Sequence, residues 1–225
     1  MIRLVLFDID GTLINSGGAG EKAFARVFAN FFGVPNGTEK LRFAGRTDLG
    51  ILREFFVQNA IEPSPENTAR FFDAYVFLLG HMLQNLPGRV LPGVWPWLHD
   101  LHSLPHQPAI GLLTGNVRLG AEIKLRHFQL WEQFATGGFA DDSAERNGIA
   151  VAAKERGEAM LGQKLRGEEV LVIGDTPHDI SCGRHIGARV LAVGTGMFRA
   201  EELRAFQPDW AVDHLNQVSA TELCG

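Results

Sequence analysis

The sequence predicts an α/β fold: a doubly wound parallel sheet with an all-helical segment inserted into it. Three observations carry this. Short apolar runs rich in branched residues recur along the chain, and each ends abruptly in a polar or glycine turn. Helical patterns lie between those runs, and strands that alternate with helices form parallel sheets covered on both faces. One long interval, 15–87, breaks the alternation and holds ten of the 16 Phe residues of the chain.

The first run, Ile2 to Phe7, ends in Asp8-Ile9-Asp10-Gly11-Thr12. The second, Ala109 to Leu113, ends in Thr114-Gly115-Asn116. Val170 to Ile173 ends in Gly174-Asp175-Thr176, and Val190 to Val193 in Gly194-Thr195-Gly196. Trp210 to Val212 is a weaker fifth strand. Helical periodicity covers Val117 to Phe128, Ile149 to Leu161, Ile180 to Ile186 and Ala200 to Phe206. The crossovers should be right-handed. Ligands of such sheets bind beyond the carboxyl ends of the strands, where Asp8, Asp10, Thr114 and Asp175 all fall.

In the interval without strands, Phe24, Val27, Phe28 and Phe31 follow i, i+3, i+4, i+7 spacing, and Gly33 and Pro35 stop the helix. A second helix is expected from Asp48 to Asn59. A third has Ser64 as N-cap and Pro65 at its first position, and carries Phe71, Phe72, Val76, Leu79 and Leu83. Leu91-Pro92-Gly93 returns the chain to the sheet. We therefore expect an α/β core domain of 1–14 and 88–225, and a helical cap of 15–87 with its own aromatic core.

A chain of 225 residues with 45% hydrophobic and 21% charged residues is long enough to bury a substantial core. Its net charge of −5 offers no basic stripe for nucleic acid. The only cysteines, Cys182 and Cys224, make no disulfide framework and suit a reducing cytoplasm. Asp8 and Asp10 interrupt the apolar N-terminus before a signal segment can form, and no apolar run approaches the ~20 residues of a membrane span. The expected partner is a small metabolite. No motif bears on oligomeric state.

The strand-end residues suggest a chemistry. A carboxylate can attack phosphorus if a cation holds the phosphoryl oxygens, an acid protonates the leaving alkoxide and a base activates water. Asp8 and Asp10 can supply the nucleophile and the acid/base, and Gly11 lets the backbone bend close to a ligand. Thr114 offers a hydroxyl, and Gly115 and Asn116 offer N–H groups at a helix N-terminus, which suits anions. Asp175 and Asp179 add the hard oxygen donors that Mg²⁺ prefers. A phosphate dianion with ionised Asp8 and Asp175 totals about −4, which a divalent ion and one basic side chain largely offset.

Together these motifs resemble the haloacid dehalogenase-like hydrolase superfamily over nearly the whole chain. Asp8-Ile9-Asp10-Gly11-Thr12-Leu13 matches the first motif of that family, Leu112-Leu113-Thr114 the second, and Gly174-Asp175 with Asp179 the fourth. The helical insert is similar to the family's cap, and the general look is that of phosphoglycolate phosphatase-like members. The resemblance implies that Asp8 is the nucleophile and Asp10 the general acid/base. It also implies that Mg²⁺ is held by Asp8, the Asp10 backbone carbonyl and Asp175, with Asp179 in support, in a phosphatase acting on a small phosphate monoester such as phosphoglycolate or a sugar phosphate.

The third motif departs from the family pattern, because no Lys-Pro pair occurs. Arg146, expected in a loop before the helix from Ile149, is assigned the fixed positive charge, and Lys154 is the competing candidate. Within the cap, Arg46 of Gly45-Arg46-Thr47-Asp48 is a candidate ligand for a second anionic group on the substrate, against pairing with Asp48 at the surface. A phosphomutase would use the same core. A 2-haloacid dehalogenase would not need Asp10 or Asp175, and a phospho-aspartate receiver is about half as long with no insert. Gly194-Thr195-Gly196 lacks the third glycine of a dinucleotide fingerprint. His99, His102 and His106 suit a solvated face better than zinc. His178 is expected beside the metal without binding it, Cys182 behind that loop, and Trp95 and Trp97 near the domain junction.

Overall fold

The computed structural model describes residues 1–225. The chain starts with β1 (Leu4–Phe7), a tight turn and the two-residue β2 (Ile14–Asn15), then enters three helices, α1 (Ala19–Phe32), α2 (Asp48–Gln58) and α3 (Pro65–Asn85). It returns through β3 (Arg89–Val90) and α4 (Val94–Ser103). Alternation follows: β4 (Ala109–Leu113), α5 (Arg118–His127), β5 (Thr136–Gly138), α6 (Arg146–Leu161), β6 (Val170–Gly174), α7 (Pro177–His185), β7 (Arg189–Val193), α8 (Ala200–Arg204), β8 (Trp210–Val212) and α9 (Ala220–Cys224).

The main sheet has the order β5-β4-β1-β6-β7-β8, and every pairing in it is parallel. This is the doubly wound α/β fold expected. The register fixes the site: Phe7 stands level with Leu112 on one side and Ile173 on the other, so the ends of β1, β4 and β6 lie side by side. Side chains of β1 alternate between faces. Val5 and Phe7 pack with Trp97 and Leu101 of α4 and Leu125 of α5, whereas Leu4 and Leu6 pack with Ile149 and Ala153 of α6 and Ile180 of α7.

The helical insert has its own core. Phe24, Phe28, Phe55, Phe56, Phe71 and Tyr75 are buried together, and Val117 joins them from the sheet side. Phe24 meets the rings of Phe28, Phe43, Phe71 and Tyr75 edge-on, and Phe28 stacks on Phe55 with centroids 3.4 Å apart. The expected caps are present: the Ser64 hydroxyl accepts the Asn67 N–H, and Gly33 ends α1 in the left-handed region at φ 70°. No helix is long and apolar enough to cross a membrane.

Three features differ from the sequence reading. β5, Thr-Gly-Gly, has a single branched residue and two glycines, too little to mark a strand, and it forms because α6 lies directly on it. A Cβ at Gly138 would sit 2.4 Å from the Ile149 carbonyl oxygen. β2 and β3 are too short to leave a pattern, yet they pair antiparallel, Ile14 with Val90 and Asn15 with Arg89. They tie together the two crossings into the helical insert. Trp97 packs against Phe7 and donates its indole N–H to the Val218 carbonyl at 2.6 Å, while Trp95 is exposed, so neither packs at the junction with the insert.

Candidate active site

Asp8 and Asp10 leave β1 into a turn that only a small residue at 11 permits. Gly11 has φ 86°, and a Cβ there would fall 2.3 Å from Asp175 Oδ2. Gly196 closes the opposite side, where a Cβ would fall 1.7 Å from the same oxygen. Thr12 Oγ1 donates to Asp175 Oδ1 at 3.1 Å, so the carboxylate of β6 is seated against the β1 turn from two sides.

Asp179 stands one turn into α7. Its Oδ2 accepts from the Thr176 N–H at 3.0 Å and the Thr176 hydroxyl at 2.7 Å, forming the cap of that helix. Its Oδ1 accepts from Arg146, whose other terminal nitrogen lies 3.5 Å from Asp8 Oδ1. Arg146 is the first residue of α6 rather than a loop residue, because the helix starts three residues earlier than its apolar pattern does. It is buried, and it borders the same cavity as Asp8, whereas Lys154 does not. Burial opposes the charge on Arg146, but Asp179 and Asp8 outweigh it and keep the guanidinium ionised beyond its ordinary range.

Burial pushes the Asp8 carboxyl up to about 7 against the pull of Arg146. Burial, with Asp179 and Asp8 adding repulsion, lifts Asp175 well above the usual carboxylate range. Carboxylate oxygens of Asp8, Asp175 and Asp179 lie within 4.8 Å of one another. One guanidinium does not balance three buried acids, and the donors are all hard oxygens. The residues therefore fit a small divalent cation such as Mg²⁺.

Thr114, at the end of β4, is fully buried. Asn116 Nδ2 donates to Thr114 Oγ1 at 2.8 Å and to Asp10 Oδ2 at 2.9 Å. The insert reaches these strand ends through its Gly45–Asp48 loop. The Asp48 N–H donates to the Gly115 carbonyl at 2.7 Å, the Val117 N–H donates to Asp48 Oδ2 at 2.9 Å, and Thr47 Oγ1 donates to the Ala144 carbonyl at 2.7 Å. Gly115 must lack a side chain, since a Cβ would lie 2.2 Å from the Arg46 carbonyl oxygen. The Arg46 side chain borders the cavity and pairs with Glu54, not with Asp48.

These parts enclose a cavity of about 290 Å³. Asp8, Asp10, Gly11, Arg46, Thr114, Gly115, Asn116, Arg146 and Asp175 all border it, while Asp179 stands behind, engaged with Arg146 and Thr176. Tyr75 of α3 and Lys124 of α5 border it too, and neither is singled out in the sequence analysis. The available signal for Lys124 was its spacing: it falls three residues after Ala121 and beside Leu125, both on the buried face. His178 lies in α7 rather than a loop and lines a neighbouring surface hollow instead of the acid-lined cavity, and Cys182 is buried with its thiol 3.4 Å from the Asp179 carbonyl. His102 contacts Gln133, not a histidine cluster.

Asp48 gives a pH expectation. Burial raises its carboxyl to about 7, with Lys124 and the Val117 N–H pulling the other way. A folded-state value above the unfolded one means that the folded chain holds the extra proton between about pH 4 and 7. Stability from this group is complete below that window and is lost as pH rises through 7. Asp48→Asn retains an acceptor for Val117 and should flatten the decline. Melting temperatures at pH 5 and pH 8 should converge by a few degrees relative to the parent, on the order expected for one buried group.

Comparison with known proteins agrees with this geometry. Residues 5–193 match the family described as haloacid dehalogenase-like hydrolase. Pyrophosphatase PpaX of Anoxybacillus flavithermus is 26% identical over 220 residues, covering 96% of this chain and 95% of that protein. A phosphoglycolate phosphatase of Vibrio vulnificus is 25% identical over 228 residues, covering 96% and 94%. Among solved structures, CbbY from Rhodobacter sphaeroides in complex with phosphate superposes with a TM-score of 0.77 over 99% of both chains, at 18% identity.

Proposed function

The chain belongs to the haloacid dehalogenase-like hydrolase family and is a phosphatase; from that premise we propose that it hydrolyses a small organic phosphate monoester in two steps on Asp8, with Mg²⁺ as cofactor. The observation that carries this reading is the convergence of Asp8, Asp10, Thr114, Arg146 and Asp175 on one small cavity at the carboxyl ends of β1, β4 and β6. In the first step an Asp8 carboxylate oxygen bonds to phosphorus, the ester P–O bond breaks, and the leaving alkoxide takes a proton from Asp10. In the second, water attacks phosphorus, gives a proton to Asp10, and the P–O bond to Asp8 breaks, releasing phosphate.

Arg146 supplies a fixed positive charge beside the transferring group, and Thr114 and the Gly115 and Asn116 amides donate to its oxygens. Asp8, Asp175 and the Asp10 backbone carbonyl would hold Mg²⁺, with Asp179 orienting Arg146 beside them. Bound there, the ion supplies charge against the phosphoryl oxygens. We take 15–87 as the cap that covers the site, and its small cavity suits a compact substrate. The two free, buried cysteines fit a reducing cytoplasm.

A screen of phosphate monoesters with and without Mg²⁺ tests this. Phosphate release should require the metal, stop with EDTA and return with added Mg²⁺. Activity that survives exhaustive chelation would remove Mg²⁺ from the proposal.

Arg46 is the residue we assign to a second anionic group on the substrate, with Glu54 as the partner it exchanges for that group. Arg46→Ala should raise KM for a substrate carrying a carboxylate or second phosphate about tenfold, and change p-nitrophenyl phosphate turnover much less. Equal losses on both would place Arg46 in the scaffold.

A further inference from the structure

We propose that Lys124 is a positioning residue for Asp10, fixing the acid/base carboxylate in place from α5; this rests on the role assigned to Asp10 above. A buried ammonium is costly unless its charge is paired and its donors are used, and lysine is rarely buried otherwise. Lys124 is only 4% exposed, yet its amine does not pair within α5 or with the sheet. It donates to Asp10 Oδ2 at 2.6 Å and to Asn116 Oδ1 at 2.7 Å. Asn116 in turn donates to the same Asp10 oxygen at 2.9 Å. Lysine, amide and carboxylate therefore close a ring of hydrogen bonds that fixes one oxygen of Asp10 from two directions.

Asp10 needs such a ring. Its side chain is 41% exposed, unlike that of Asp8 at 7%, and its backbone lies beyond the sheet in an isolated bridge with Ile14, so packing constrains it less. A carboxyl group that must meet a leaving oxygen loses efficiency steeply when displaced: about 1 Å can cost ~10²-fold. With Oδ2 held by Lys124 and Asn116, Oδ1, which accepts only the long 3.5 Å hydrogen bond from the Ser16 hydroxyl, is left to exchange the proton. Gly20 and Tyr75 flank the lysine on the insert side, which keeps the ammonium directed at the ring.

The test compares leaving groups in the 225-residue chain with Mg²⁺. Alkyl phosphates need a proton on departure, whereas p-nitrophenyl phosphate barely does. K124M, which fills a similar volume without charge, should lower kcat/KM, which reports the step in which the leaving group departs, by about 10²-fold on an alkyl phosphate and far less on p-nitrophenyl phosphate. K124R should recover part of the alkyl activity. The double variant D10N/K124M should be no slower on the alkyl substrate than D10N alone. If D10N discriminates between the substrates while K124M slows both equally, or if the two losses multiply, the proposal is overturned and the role of Asp10 stands. If D10N lowers kcat/KM equally on both, the role of Asp10 as the acid for the leaving group fails and the proposal with it. Should K124M not fold, K124R carries the same comparison: equal loss on both substrates overturns the proposal.

Discussion

Asp8→Asn is expected to reduce phosphate release from any monoester by several orders of magnitude while the protein remains folded. The amide keeps the shape of the carboxylate but cannot form the bond to phosphorus. Its effect on stability should be small or favourable. Asp8 is buried at the end of a fully buried strand, and burial already pushes its carboxyl up to about 7, so removing the charge relieves crowding with Asp175 and Asp179. Stopped-flow or steady-state phosphate assays together with thermal melting separate the two effects. Retained turnover in Asp8→Asn would remove covalent catalysis at this residue from the mechanism.

Arg146→Ala should be the second severe variant, and it should fail in two ways at once. Its guanidinium is the only cation against Asp179 and also faces Asp8 at 3.5 Å. Removing one partner of a buried ion pair typically costs ~3–5 kcal/mol, enough to lower the melting temperature by about 10 °C in a chain of this size. Loss of the charge beside the phosphoryl group should lower kcat by about 10²-fold or more. Arg146→Lys separates these effects. A lysine retains charge but not the fork that spans two carboxylates, so it should recover more activity than stability. Lys154→Ala should be close to neutral in both measurements. The reverse pattern, an inactive Lys154→Ala beside an active Arg146→Ala, would move the third-motif role to Lys154.

The strand-end frame of the candidate site was legible because its signals are local. An apolar strand that stops in Asp8-Ile9-Asp10-Gly11 announces both buried backbone and chemistry, and the parallel register then brings Thr114 and Asp175 alongside without further information. Arg146 could be placed at the strand ends ahead of Lys154 from its position before the apolar pattern, but its place in the helix could not, since α6 begins before its apolar periodicity does. What remained hidden depends on tertiary contact. Lys124 reads as an ordinary polar position until α5 is laid against Asp10. Asp48 reads as a helix-start acid and as the partner of Arg46, whereas its carboxylate is taken by a backbone N–H 69 residues further along. β5 is a strand only because β4 and α6 hold it. The helices of the insert, by contrast, were set by caps and phenylalanine spacing, both properties of adjacent residues.

The two-residue ladder between β2 and β3 bears on how such an enzyme diversifies. Ile14 with Val90 and Asn15 with Arg89 hold the points of departure and return one strand spacing apart. Once those ends are stapled, the points at which the insert leaves and re-enters the core are fixed whatever its length, and closing a longer loop adds only slowly to the entropy cost. The segment between the anchors is thus a cassette. Its helices can be exchanged or redesigned for a new leaving group while the positions of Asp8, Asp10 and Asp175 stay inherited, so selection can act on recognition without re-solving the chemistry. A chimera joined at Asn15 and Arg89 that carries the helical insert of a relative should keep metal-dependent turnover of p-nitrophenyl phosphate while its preference among natural monoesters follows the donor.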